Sequence, residues 1–268
     1  MPPDELDDAR STVARASAKS RAQDDERTAG SATLAAVERT SELKRRSGAS
    51  RFVYENGLVI VATALFLFSF LGQVLAGHAF YNDEQRQHGE PQVSIARYLT
   101  TGAFVEATAE NWESEFLQMG LFVVLTAYLY QRGSSESKRL DQPEAVDERP
   151  EEEHANPAAP WPVRHGGVAL AIYKHSLSIV LFALFLLSFL LHAAGGAKDY
   201  SAELREHGEA PMGMFAYLAT SRFWFESFQN WQSEFLSVAV LVLFSIWLRE
   251  EKSPQSKPVA APNSETGE

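Results

Sequence analysis

Two groups of polar residues recur along this chain with types and spacing that suit chemistry. His88-Gly89-Glu90 returns as His207-Gly208-Glu209, with Glu84 and Arg86 ahead of the first copy and Glu203 and Arg205 ahead of the second at matching spacing. Imidazoles and carboxylates on two facing loops would suit zinc or manganese. The spacing argues the other way, because the chain has no His-Glu-x-x-His and the two imidazoles lie on separate loops. A helix ending on histidine near the negative end of its dipole, with glycine as a left-handed stop, accounts for the triplet equally well. The second group is Asn111-Trp112-x-Ser114-Glu115-Phe116-Leu117, repeated as Asn230-Trp231-x-Ser233-Glu234-Phe235-Leu236. Glu115 and Glu234 suit a cation or a proton at the mouth of a helix bundle. The plainer reading has Asn111 or Ser114 capping a helix, the acids at its positive end and the tryptophans anchoring it at an interface. His88, Glu90, Asn111, Trp112, Glu115, His207, Glu209, Asn230, Trp231 and Glu234 are therefore the candidate functional residues.

Other chemistry is harder to place. No nucleophile with a base and an orienting group, no phosphate-binding loop and no cofactor fingerprint is visible. The chain has no cysteine, which removes disulfides, thiolate catalysis and cysteine metal sites. No catalytic residue, cofactor or resident metal is expected, and a non-enzymatic protein is the leading reading.

The elements that carry these motifs are themselves repeated. Tyr54 to Lys138 aligns with Tyr173 to Lys257 at one constant offset and without a gap, with roughly a third of the positions identical, which reads as an internal duplication. Each copy opens on a long uncharged stretch, Leu58 to Ala76 and Leu177 to Ala194, sufficient to cross a hydrocarbon core. Each closes on a shorter one, Phe116 to Tyr130 and Phe235 to Leu248, flanked by Trp112 and Trp231 on one side and by Tyr128, Tyr130 and Trp247 on the other. The expected fold is all-α: a polytopic membrane protein with four transmembrane helices, arranged as two tandem homologous hairpins with outer amphipathic helices.

The outer segments hold a polar helix, Tyr81 to Pro91 or Tyr200 to Pro211, followed by an amphipathic stretch, Ser94 to Asn111 or Gly213 to Asn230. No proline interrupts Ala103 to Arg132 or Met214 to Lys252, and Gly120 is the one glycine within them, so one long helix can run from the outer surface into the span. The alternative is a helix lying flat at the interface that turns inward at the Asn-Trp motif; the aromatic second copy (Phe215, Tyr217, Phe223, Trp224, Phe225 and Phe228) leans toward it. Inside the spans polar residues are few and no Asp, Glu, Lys or Arg lies mid-span, unlike most ion-coupled transporters. Gln73 and His192 occupy equivalent positions near the outer ends and suit hydrogen bonds between helices.

Composition sets the boundaries. Residues 1–50 carry nine acids and nine bases with almost no large apolar side chain, so a disordered polar N-terminal tail is expected there. The first membrane repeat spans 51–132, a Pro/Glu/Ala-rich linker 133–167, the second repeat 168–252 and a disordered tail 253–268. Lysine and arginine near the span ends (Lys44, Arg45, Arg132, Lys138, Arg164, Lys174, Arg249) place both termini and the linker in the cytoplasm. The net charge of −11 argues against nucleic acid as a partner. The expected partners are the lipid bilayer and a membrane protein or a second copy of the chain.

Tyr81-Asn82-x-Glu84 with His88-Gly89, the Asn-Trp-Glu-Ser-Glu-Phe-Leu run from Asn111, and Gln131-Arg132-Gly133-Ser134-Ser135-Glu136-Ser137-Lys138 resemble a small bacterial integral-membrane family of unknown function. The resemblance covers Arg51 to Lys257 and is closer in the first copy. It implies a bacterial inner-membrane protein and carries no activity and no functional residue. Three functions are then open. A structural or partner-binding membrane module comes first. A small channel or transporter lined by Ser69, Gln73, Ser188 and His192 comes second, and a membrane enzyme using a metal on His88 and His207 third.

Overall fold

The computed structural model describes Val37, Ser41, Arg45, residues 47–139 and residues 141–267, and among these it is helical with no strand. The tail expected over residues 1–50 falls almost wholly outside the described residues. Packing divides the chain into two compact units, one ending at Gln73 and one starting at Val74.

The first unit contains α1 (Gly48–Glu55) and most of α2 (Gly57–Gln87). Asn56 separates them, its side-chain amide donating to the Phe52 carbonyl at 2.8 Å. No charge interrupts α2 from Gly57 to Asn82, and its 31 residues make a rod of about 46 Å, longer than a hydrocarbon core of about 30 Å. Leu58, Leu65 and Phe68 are 89%, 61% and 79% exposed, and Val74 is its one buried residue. A helix that is apolar all round has the composition of a membrane span.

The second unit holds the end of α2, α3 (Ile95–Tyr98), α4 (Gly102–Tyr128), two 3-10 turns (Ala145–Asp147 and Pro150–Glu153), α5 (Trp161–His165), α6 (Gly167–Tyr173), α7 (Ser176–Glu206), α8 (Met214–Tyr217) and α9 (Ser221–Phe244). Equivalent positions of the two halves make the same local bonds. Gly89 and Gly208 close their helices at φ +75° and +76°, and Glu90 and Glu209 return their amides to Gln85 and Leu204, each at 2.8 Å. His-Gly-Glu is thus a helix stop, with glycine supplying the left-handed residue. Asn82 then clasps both backbone groups of Val93, as Ser201 clasps those of Met212. Thr101 and Thr220 cap α4 and α9 by accepting the amides of Phe104 and Phe223 at 3.2 and 3.3 Å.

These caps correct two expectations. The helices start about ten residues before Asn111 and Asn230 and run through both without a break, so no flat helix turns inward there. Asn111 and Ser114 are not caps either. Amides at mid-helix are already paired, and these side chains return to the carbonyls of Ala107 and Asn111 instead. Among the described residues two helices, α2 and α7, are long and apolar enough to cross a membrane by length and composition; the sequence leads to an expectation of four spans. The continuous helix places Glu106, Glu110, Glu113 and Glu115 on α4 and Glu226 and Glu234 on α9. The apolar run left in α4 from Phe116 to Tyr128 is about 20 Å long, and that in α9 about 15 Å.

At the other end of these helices the loops also match. Gln131 and Glu250 donate their amides to Ser137 and Ser256, each at 2.9 Å, and Gly133 and Lys252 both take positive φ. The tail from Ser253, expected to lack fixed structure, is folded onto this first loop. Thr266 accepts the Gly133 amide at 2.9 Å, and the buried Lys257 ammonium donates to the carbonyls of Pro262, Asn263 and Glu265. Small polar side chains supply the partners that an apolar core would otherwise replace.

Candidate functional site

α4 and α7 lie antiparallel and touch along stripes in which small residues alternate with larger buried ones. On α4 the stripe is Gly102, Glu106, Ala109, Glu113 and Gly120; on α7 it is Leu181, Ser188, His192 and Gly195. Spacings of three, four and seven put each set on one helix face. The backbones nearly meet at the outer end. A Cβ on Gly102 would lie 2.5 Å from the Asp199 nitrogen, and one on Gly195 2.5 Å from the Glu106 nitrogen. Towards the other end Gly120 packs on Phe182 and Leu181. Small residues at a crossing allow this approach. They also bring acids on α4 against α7.

His192 is the hub. Its ring is fully buried, with Nδ1 2.8 Å from Glu113 Oε2 and Nε2 3.5 Å from Glu226 Oε2. Glu113 is also fully buried, and its other oxygen accepts the Trp231 indole N–H at 3.0 Å. The Tyr217 hydroxyl donates at 2.6 Å to Glu226 Oε2, with Glu106 Oε1 at 3.0 Å; one hydrogen serves two carboxylates, and the nearer holds it. Arg222 donates from Nε to Glu226 Oε1 at 3.0 Å and from its other end to Glu203. Asn230 donates to Glu110 beside the cluster. Phe223, fully buried, covers the imidazole with ring centres 4.7 Å apart.

Burial dominates the electrostatics. The Glu226 carboxylate accepts from Tyr217 and Arg222 and faces His192. The Tyr217 phenol is driven far up by burial and then by its bond to Glu226. The cluster therefore concentrates negative charge where water is scarce. Glu106, His192 and Glu226 each bring one donor atom to a place where all three lie within 4.8 Å of one another.

Of the residues singled out in the sequence, Trp231 and Asn230 join this centre and Trp112 is half-buried. His88, Glu90, His207 and Glu209 are exposed at the helix stops, where His207 Nδ1 returns to the Glu203 carbonyl. Asn111 and Glu115 are exposed on α4, and Glu234 is half-buried on α9. His88 and His207 are absent from the one described cluster of three potential metal donors. Glu106, Glu113, Tyr217, Arg222 and Glu226 are new. Glu106, Glu110 and Glu113 recur at a spacing of four and three, a signal for one acidic helix face. A search for residues kept in both halves passes over them, because the positions matching Glu106, Glu113, His192 and Glu226 hold Phe225, Gln232, Gln73 and Ala107.

A family model described as Domain of unknown function (DUF6766) matches residues 49–268. No curated protein and no solved structure matches the chain.

Proposed function

The chain belongs to the DUF6766 family, and we propose that it works as a non-enzymatic membrane scaffold of two helical hairpins. In this reading four helices cross the plasma membrane, both termini and the linker are cytoplasmic, and a buried acid–histidine–tyrosine centre locks the second helix of the first hairpin to the second hairpin. The observation that carries it is the Glu113–His192 contact inside the α4–α7 crossing, both side chains fully buried. Buried ionisable side chains on apolar helices pair with one another when helices associate in lipid. The centre also explains why α4 looks too polar to be a span. Glu106 and Glu113 face α7 rather than lipid, and α4 follows α7 from Gly102 down to Gly120.

Two further features support the reading. The exposed aromatic side chains Phe215, Phe225 and Phe228 belong to α8 and to the acid-bearing first half of α9, the level at which rings settle among lipid headgroups. The matched stops, clasps, caps and loops of the two halves support descent from one duplicated hairpin. Ser188 and His192 are buried, and both His192 ring nitrogens face carboxylates of other helices, Nδ1 in a 2.8 Å bond to Glu113, which favours a lock over a pore lining.

Reporter fusions near residues 85, 150 and 205 test the topology. The expected result is an external signal at 85 and 205 and a cytoplasmic signal at 150. An external signal at 150 overturns the orientation, and a cytoplasmic signal at 85 or 205 overturns the four-span arrangement.

A further inference from the structure

We infer that Glu106, His192 and Glu226 form a binding site for one divalent transition-metal ion of the zinc type. Their donor atoms come from three different helices, α4, α7 and α9, and lie within 4.8 Å of one another. The imidazole is set up as a ligand. Glu113 holds Nδ1 at 2.8 Å, which orients the ring and leaves Nε2 turned to the carboxylates. A carboxylate on the distal nitrogen is the usual partner of a metal-bound histidine.

The distances suit an ion better than a direct bond. Nε2 and Glu226 Oε2 are 3.5 Å apart, beyond a well-formed N–H···O contact. Two donors of one tetrahedral zinc sit about 3.4 Å apart. Glu106 meets Glu226 across the Tyr217 hydroxyl, its donor atom within 4.8 Å of the other two.

Charge points the same way. Of the three carboxylates gathered here Arg222 pairs with Glu226 alone, and it also pairs with Glu203, so acids outnumber basic side chains and a dication is accommodated. One imidazole with two carboxylates is a donor set for zinc or manganese rather than calcium or magnesium. The Glu226 side chain is 19% exposed and Arg222 36%, which opens the site on that side. Three protein donors leave a fourth position for water or the Tyr217 oxygen.

The ion needs only the side chains of the centre. An inverted topology leaves this assignment standing, and a centre that takes no metal leaves the scaffold standing. The test uses full-length protein purified in detergent, stripped with a chelator, dialysed against micromolar zinc and measured by elemental analysis. One zinc per chain is expected. Glu106→Gln and His192→Gln are expected to lose it, and Glu113→Gln, which removes only the positioning bond, to weaken it roughly 10–100-fold. A double His88→Ala, His207→Ala variant keeps full occupancy. Less than a tenth of an equivalent in the unmodified protein, full occupancy in Glu106→Gln or His192→Gln, or loss in the surface double variant overturns the site. Should the centre variants fail to fold, cobalt on the unmodified protein decides. Intense visible bands of tetrahedral cobalt are expected, and only the weak spectrum of hydrated cobalt overturns the assignment.

Discussion

Glu113→Ala is expected to destabilise the folded protein by about 3–5 kcal/mol, the cost of breaking a buried ionic pair from one side. Glu113 is fully buried and spends one oxygen on His192 and the other on Trp231. Alanine leaves an imidazole nitrogen and an indole N–H without their acceptor in a place where water does not replace it. The centre is shared by α4, α7 and α9, so the loss loosens all three together. Denaturant unfolding in detergent micelles measures the change, and Trp231 fluorescence follows the same event because its indole loses its bond. Gln232 holds the matching place in the second half and is exposed; Gln232→Ala should stay within about 0.5 kcal/mol. A Glu113→Ala protein less than about 1 kcal/mol from the parent would mean that the pair contributes little and that packing alone holds the crossing.

Gly195→Ala is expected to destabilise by about 1–3 kcal/mol, and Gly195→Val by more, because the added carbon has nowhere to go. It would stand 2.5 Å from the Glu106 nitrogen and 3.0 Å from its Cα, both backbone atoms of a helix that can yield only by moving as a whole. Moving α4 away also draws Glu113 from His192, so the steric and polar costs add. Gly72→Ala gives the opposite sign. That glycine is helical with open space around it, and alanine there should stabilise by roughly 0.5–1 kcal/mol. Unfolding both variants beside the parent compares the two signs. Equal effects would show that the Gly195 contact is not tight in solution.

The sequence makes parts of this architecture readable and hides others for physical reasons. The α2 and α7 helices announce themselves because an uncharged run over five turns has few alternatives. The His-Gly stops are legible because positive φ is largely a glycine property. The starts of α4 and α9 are harder. Thr101 and Thr220 are the caps, yet Asn111 and Ser114 carry equally suitable side chains, and propensity does not rank them. The folded tail depends on carbonyls gathered around Lys257, a tertiary arrangement that composition does not reveal. The centre is the least visible element. Repetition draws attention to residues present twice, while a lock between two unlike faces needs a different residue on each.

The placement of that lock has a consequence for how the protein is made. Chains emerge from the ribosome N-terminus first, so α4 is complete before any of α7 exists. At that moment Glu106 and Glu113 have no histidine, tyrosine or indole to meet, and a bilayer is a poor host for bare carboxylates. On the four-span reading, α4 cannot settle until the second half arrives with His192, Tyr217 and Trp231. The first hairpin therefore waits, half committed, for its sister. A chain stopped within the linker would leave the acidic helix stranded at the membrane surface, an unfinished intermediate open to quality-control proteases.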